Sequence, residues 1–210
     1  MLRASGLLWR EALVLRDKVT GRLYTQHDGG VLRGSGEPLT TRPAEATTFA
    51  DAADRFPHAS FLEKRPGPLG AGRHDFYADY VAQGDRVGVS GRPYVGALDG
   101  KARVLAVFVG DGPPHGVPLA DLDGGLLVLG GAVAVGFGGG RAFEAEGRAD
   151  FTLSGTDLLQ GGRSWDARTG EALDGGPALR PLRVHVVYAF AFEAAWPEAE
   201  IARRTEPGAE

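Results

Sequence analysis

Five histidines, at positions 27, 58, 74, 115 and 185, are the first residues to ask about chemistry. None has a second histidine at a metal-ligand spacing such as His-x-x-x-His. His185 stands in an alternating run, with Arg183 on its own side and Leu182, Val184 and Val186 on the other. That period of two marks a half-buried strand with one polar face. Such a histidine is either a ligand group or a plain sheet-edge residue. His27-Asp28 is followed by Gly29-Gly30. A catalytic dyad is one reading, and a solvated hairpin turn is the plainer one, because adjacent turn residues rarely aim at one point. Asp157, Asp166 and Glu171 gather around Arg163 and Trp165. Paired carboxylates do acid–base work, but on hairpin strands they more often form a solvated face. Tyr24 and Trp165 hold equivalent places. They are either twin core plugs against the helices or a stacking platform. The candidate ligand-binding set is therefore Tyr24, Arg163, Trp165, Asp166 and His185, with no catalytic residue and no metal-ligand set singled out.

Other signals are weaker. Gly136-Phe137-Gly138-Gly139-Gly140 has the composition of a phosphate loop, yet Arg141 to Glu144 reads as strand rather than the helix whose N-terminus would hold the anion. A plain hairpin is expected there. Tyr77, Tyr80 and Tyr94 could bind carbohydrate or peptide, but they fall in the least regular part of the chain. No Gly-x-Ser-x-Gly elbow is present.

Composition narrows the classes. The chain has 210 residues, 43% hydrophobic and 24% charged, with formal charge -4. That is ordinary globular material, enough for one substantial domain or two small ones sharing a core. No basic block suggests nucleic acid. Cysteine is absent, which removes disulfides, thiolate nucleophiles and cysteine-held metals. No cofactor motif is present. The N-terminal apolar run is too short for a signal peptide and no run approaches a membrane span, so a cytoplasmic protein without membrane or nucleic-acid partners is expected.

The elements that position these residues follow from period and punctuation. Leu13 to Arg16 and Arg22 to Gln26 read as strands around the turn Asp17-Lys18-Val19-Thr20-Gly21, with Val31 to Gly36 a loop or edge strand. Thr48 caps a helix whose Phe49, Ala52, Ala53 and Phe56 share a face, and Pro57 stops it. Ser60 to Leu62 reads as strand, Glu63 to Arg73 as loop, and His74 to Tyr80 as one helical turn. Arg103 to Val109, His115 to Leu119, Leu126 to Leu129, Ala132 to Gly136, Arg141 to Glu146 and a strand from Asp150 form a run of strands. Pro181 to Ile201 is strand then helix, ended at Trp196-Pro197.

Two stretches overlay. Pro57 and Pro197 lie 140 positions apart, as do Asp17 and Asp157, while Tyr24 and Trp165 lie 141 apart. Phe49 then matches Ala189, and Phe56 matches Trp196. The expected fold is α+β, mostly antiparallel sheet in a meander or small barrel-like form, with two short helices and two unequal pseudo-symmetric repeats. Residues 1–62 form a truncated first repeat, 63–100 a connection and 101–210 the complete second repeat, packed as one unit.

These motifs resemble the bacterial domain-of-unknown-function family 3179. Its members carry Asp-x-x-Thr-Gly-Ser-x-Trp, a Gly-x-Ala-Leu turn and a Trp-rich helix ending in His-Pro. The matching residues are Asp17 to Tyr24, Ser164 to Leu173, Phe56-Pro57 and Trp196-Pro197, together with the hairpin of Val104 to Val107 and Val117-Pro118-Leu119. The resemblance implies an upstream half with a Cys-Pro-x-Cys segment suited to thiol redox or metal chemistry, which this chain lacks. Ala189 stands where the family favours Trp, and Phe56 and Trp196 where it favours His before Pro. No catalytic role carries over.

Two functions are expected to compete. One is a non-catalytic small-ligand or protein-binding module, a degenerate paralogue of a longer member, whose leftover apolar surface is covered by a protein partner or by a second copy in a homodimer. The other is a redox or metal-assisted enzyme with a histidine/carboxylate site between the repeats. At least three of His27, His74, His115, His185, Asp157 and Asp166 within ligand reach would favour the second.

Overall fold

A computed structural model describes residues 1–41, 47–60, 76–83, 86–88 and 91–204. Four strands open the chain: β1 (Leu2–Trp9), β2 (Ala12–Asp17), β3 (Leu23–Thr25) and β4 (Val31–Arg33), hydrogen-bonded in that order as an antiparallel meander. The sequence gives no strand signal for β1, because Gly6 and a register shift between Ala4 and Leu8 break its alternation. Its Leu2, Leu7 and Leu8 are exposed. The β1–β2 turn carries Arg10 and Glu11 at φ 47° and 62°. Two non-glycine residues in the left-handed region cost about 1 kcal/mol or more each.

Among the described residues there are three α-helices, rather than two: α1 (Phe49–Arg55), α2 (Phe76–Ala82) and α3 (Ala189–Ala195). The extra one, α2, grows from the expected turn at 74–80. The strand expected at 60–62 falls mainly, and the loop expected at 63–73 wholly, outside the described residues, as does His74. Between α2 and the main body run β5 (Arg86–Val87) and β6 (Arg92–Pro93), paired as a ribbon. Then come β7 (Arg103–Phe108), β8 (His115–Pro118), β9 (Leu126–Leu129), β10 (Ala132–Val135), β11 (Arg141–Glu144), β12 (Thr152–Ser154), β13 (Asp157–Gln160), β14 (Arg163–Asp166) and β15 (Arg183–Tyr188). They form three antiparallel sheets, ordered β15-β7-β8, β11-β10-β9 and β12-β13-β14, and among the described residues no barrel closes.

The core lies between these sheets. Leu105, Val107 and Val117 of the first meet Leu129, Ala132 and Ala134 of the second. Val133, Val135 and Phe143 pack on Leu158 and Trp165 of the third. On the other face of β7, Val104, Ala106 and Phe108 receive Ala189 and Phe192 of α3. Trp165 is therefore a core plug against sheet, with Phe151 at 6.2 Å, and not against a helix.

The elements 140 positions apart differ in their surroundings. Helices α1 and α3 each span 7 residues, and their caps Phe56 and Trp196 share φ/ψ of -131°/67° and -132°/74°. Yet α3 buries five residues and α1 none. In the hairpins, Leu15 faces Tyr24 while Leu158 faces Trp165. Asp17 therefore ends β2 and caps its turn, accepting from Val19 N–H at 3.0 Å and Thr20 Oγ1 at 2.7 Å. Asp157 sits instead inside a sheet opposite Asp166, so these two aspartates are not equivalent. The reason is turn chemistry. Gly161-Gly162, at φ 57° and 78°, close β13–β14 in a tight primed turn, while Asp17 to Gly21 needs a longer one.

Candidate functional site

A cleft of about 770 Å³ runs between β15 and the first 41 residues. One wall is Pro181 to Val186, with Phe108, Arg103 and the glycine pair 139–140 beside it. The other is Thr25 to Gly29 with Leu39 to Thr41.

His185 projects from β15 on the face shared with Arg183, as the alternation requires. Arg183 is exposed, and its guanidinium carbon lies 3.8 Å from the Phe108 ring centroid. Among the described residues no carboxylate ion-pairs with Arg183 or Arg103. Gly140 takes φ 102° in the β10–β11 hairpin, so the glycine loop is a turn lining the cleft.

His27 departs from the solvated turn expected of it: it is 5% exposed. Trp196, at the end of α3, meets its ring edge-on at 5.3 Å, and Trp9 of β1 lies at 6.2 Å. Its Nε2–H donates to the Arg10 carbonyl at 3.1 Å in the tautomer that satisfies that oxygen. The strained β1–β2 turn thus fixes the imidazole and leaves Nδ1 as its acceptor. The Arg10 guanidinium donates in turn to the Ala195 carbonyl, at the negative end of α3. These contacts join the first hairpins to the C-terminal helix.

Burial pushes the His27 imidazole below its ordinary value. The bond to the Arg10 carbonyl and the Asp28 charge oppose this, while the Arg10 guanidinium adds to it. Burial, then His27, push His185 down as well, against the pull of Asp28. For Asp28, burial favours the neutral acid, but it is outweighed. The Thr25 hydroxyl donates at 2.5 Å, Gly30 N–H at 2.8 Å, and Arg183 and His27 add their fields, so the carboxyl stays below its usual range. At neutral pH the cleft holds two uncharged imidazoles, one occupied carboxylate and two guanidiniums.

Of the five residues singled out from sequence, His185 alone lines this cleft. Tyr24 is 5% exposed and sits in β3. Trp165 is 1% exposed and donates Nε1–H to the Pro177 carbonyl at 3.0 Å. Arg163 covers its ring at 4.8 Å and ion-pairs Asp174 at 3.2 Å. Asp166 accepts from Arg168 and Thr169 N–H at 2.8 and 2.9 Å, closing a turn. These three lie together on the β13–β14 hairpin. His115 starts β8 opposite Val107, away from the cleft. Among the described residues no three His, Asp or Glu side chains are placed to hold a metal ion. Tyr80 packs on Tyr188 at 5.9 Å, and Tyr94 joins the cluster of Val87, Phe190 and Ala191, so both cover α3 rather than forming a platform. The side chain of Tyr77 lies outside what the structure describes.

No helix among the described residues is long and apolar enough to cross a membrane. No curated protein and no solved structure matches the chain. A family model, described as a protein of unknown function (DUF3179), matches residues 1–199, and the chain belongs to that family.

Proposed function

We propose that the chain is a binding module that takes a small anionic ligand in the cleft beside β15. The observation that carries this is Arg183, its guanidinium carbon 3.8 Å over the Phe108 ring, exposed, lining the cleft and without an ion-pair partner among the described residues. A guanidinium oriented in this way accepts a carboxylate or phosphate with paired N–H donors. Asp28 does not neutralise it fully, because its carboxylate is engaged by Thr25 and Gly30. In this reading residues 1–62 and 101–210 are unequal copies of one unit joined by 63–100, with the site between them. The exposed Leu2, Leu7 and Leu8 of β1 offer the apolar surface for a protein partner or second copy.

The second reading, an enzyme with a histidine/carboxylate site between the copies, is supported by His27, His185 and Asp28 sharing the cleft region. Neutral imidazoles are competent general bases. Calorimetric titration with glutarate and with inorganic phosphate tests the binding reading. Saturable binding is expected, weakened about tenfold or more by Arg183→Ala and unchanged by Arg16→Ala, whose side chain is exposed on β2 and does not line the cleft. No saturable heat at millimolar anion, or equal binding by Arg183→Ala, would reject it.

A further inference from the structure

We propose that the cleft takes its ligand as an added β-strand: an extended acidic peptide lying along the open edge of β15. This rests on the reading of the cleft as an anion-binding site and names the partner class.

The edge follows from the hydrogen bonds. Along a strand, successive residues turn their N–H and C=O to opposite sides. Ala189 N–H donates to the Ala102 carbonyl, on the β7 side. Leu182 N–H donates to the Ala142 carbonyl of β11, on the opposite side. Even-numbered residues of β15 therefore face away from β7. β11 covers that outer edge as far as Leu182, through Glu144 N–H to the Arg180 carbonyl and the Phe143–Pro181 bridge. Beyond it, the N–H and C=O of Val184 and Val186 have no main-chain partner among the described residues, and both residues line the cleft. An open edge of this kind is what strand addition uses.

The opposite wall points to the same occupant. Leu39 N–H donates to the Gly29 carbonyl as Leu179 N–H does to the Gly170 carbonyl, at 2.9 and 2.8 Å. The chain after Leu179 is covered by β11. After Leu39, Thr40 and Thr41 border the cleft, and they have no strand beside them among the described residues. Charge selects the sequence. Arg183 and His185 share one face of β15, so an added strand sets alternate side chains beside them. An acidic residue there meets Arg183, and apolar residues at the alternate positions meet the Val184 and Val186 face.

The probe is a capped five-residue peptide of alternating valine and glutamate, read by fluorescence anisotropy against the full chain, with glutarate titrated in parallel. Binding is expected to weaken about three- to tenfold on N-methylation at alternate amides, each removing one edge hydrogen bond. Val184→Pro should weaken the peptide similarly, since it deletes an outward N–H without touching the β7 ladder. The N-methylated peptides keep the test independent of that variant's folding. Arg183→Ala should weaken peptide and glutarate alike. If glutarate binds and the peptide does not, or methylation has no alternating effect, strand addition is wrong while the anion site stands. If neither binds, both readings fall. Self-association abolished by Val184→Pro, without peptide binding, would assign the edge to a second copy and overturn the proposal.

Discussion

Lowering the pH from about 7.5 to 5.5 should destabilise this protein once the pH falls below about 6.5, and His27 and His185 should be the cause. Both imidazoles are held below their ordinary value of 6.5, first by burial. In the unfolded chain each titrates near 6.5. Below that pH the unfolded state binds protons the native state refuses, so stability rises with pH and falls as pH drops. Each histidine contributes a slope of up to about 1.4 kcal/mol per pH unit between 6.5 and its depressed native value, and the pair up to about 2.7. Carboxylates do not confuse this window. Asp17, Asp28 and Asp174 are held below their ordinary 3.8, and their contribution is fully present above that value. The assay is urea unfolding followed by tryptophan fluorescence at half-unit pH steps. Wild type should lose stability below pH 6.5, and the His27→Gln, His185→Gln double variant should be nearly flat to pH 5. A flat wild type, or a double variant with the same slope, would refute the reasoning.

Packing makes two further predictions. Phe192 is 0% exposed, and its ring atoms lie 2.7 Å from where a Cβ on Gly116 would stand. Phe192→Ala should cost about 3–5 kcal/mol and Gly116→Ala about 1–3 kcal/mol, both read as lowered thermal midpoints. Gly170 combines φ 76° with a Phe143 ring atom 2.6 Å from its absent Cβ, whereas Gly155, at φ 59°, faces open space. Gly170→Ala should therefore lose clearly more stability in urea than Gly155→Ala, whose loss is set by the left-handed backbone at about 1–2 kcal/mol.

Much of the fold was legible locally. The apolar run from Arg103 and the alternation from Arg183 became β7 and β15, and Trp196-Pro197 ended α3 where proline requires. Asp17 to Gly21 gave its turn because the Asp17 and Thr20 side chains accept from backbone N–H groups two residues on. β1 was missed because Gly6 and its register shift erase the period. Its turn was missed because Arg10 and Glu11 carry no signal for positive φ. The equation of Asp17 with Asp157 failed because a tight glycine turn and an Asp-x-x-Thr-Gly turn differ in length.

The site was legible only in parts. His185 and its face could be read from a period of two. His27 could not, since its burial is made by Trp196 and Trp9, from a distant helix and a strand without a signal. By itself the sequence determined strand alternation, turn residues, proline stops and the absence of thiol chemistry, all of which are set by each residue and its near neighbours. Only the tertiary structure decided that Thr25 to Gly29, Leu39 to Thr41, the glycine pair 139–140 and β15 surround one space. Which separated segments meet depends on how whole sheets bury their apolar faces, and no single residue encodes that.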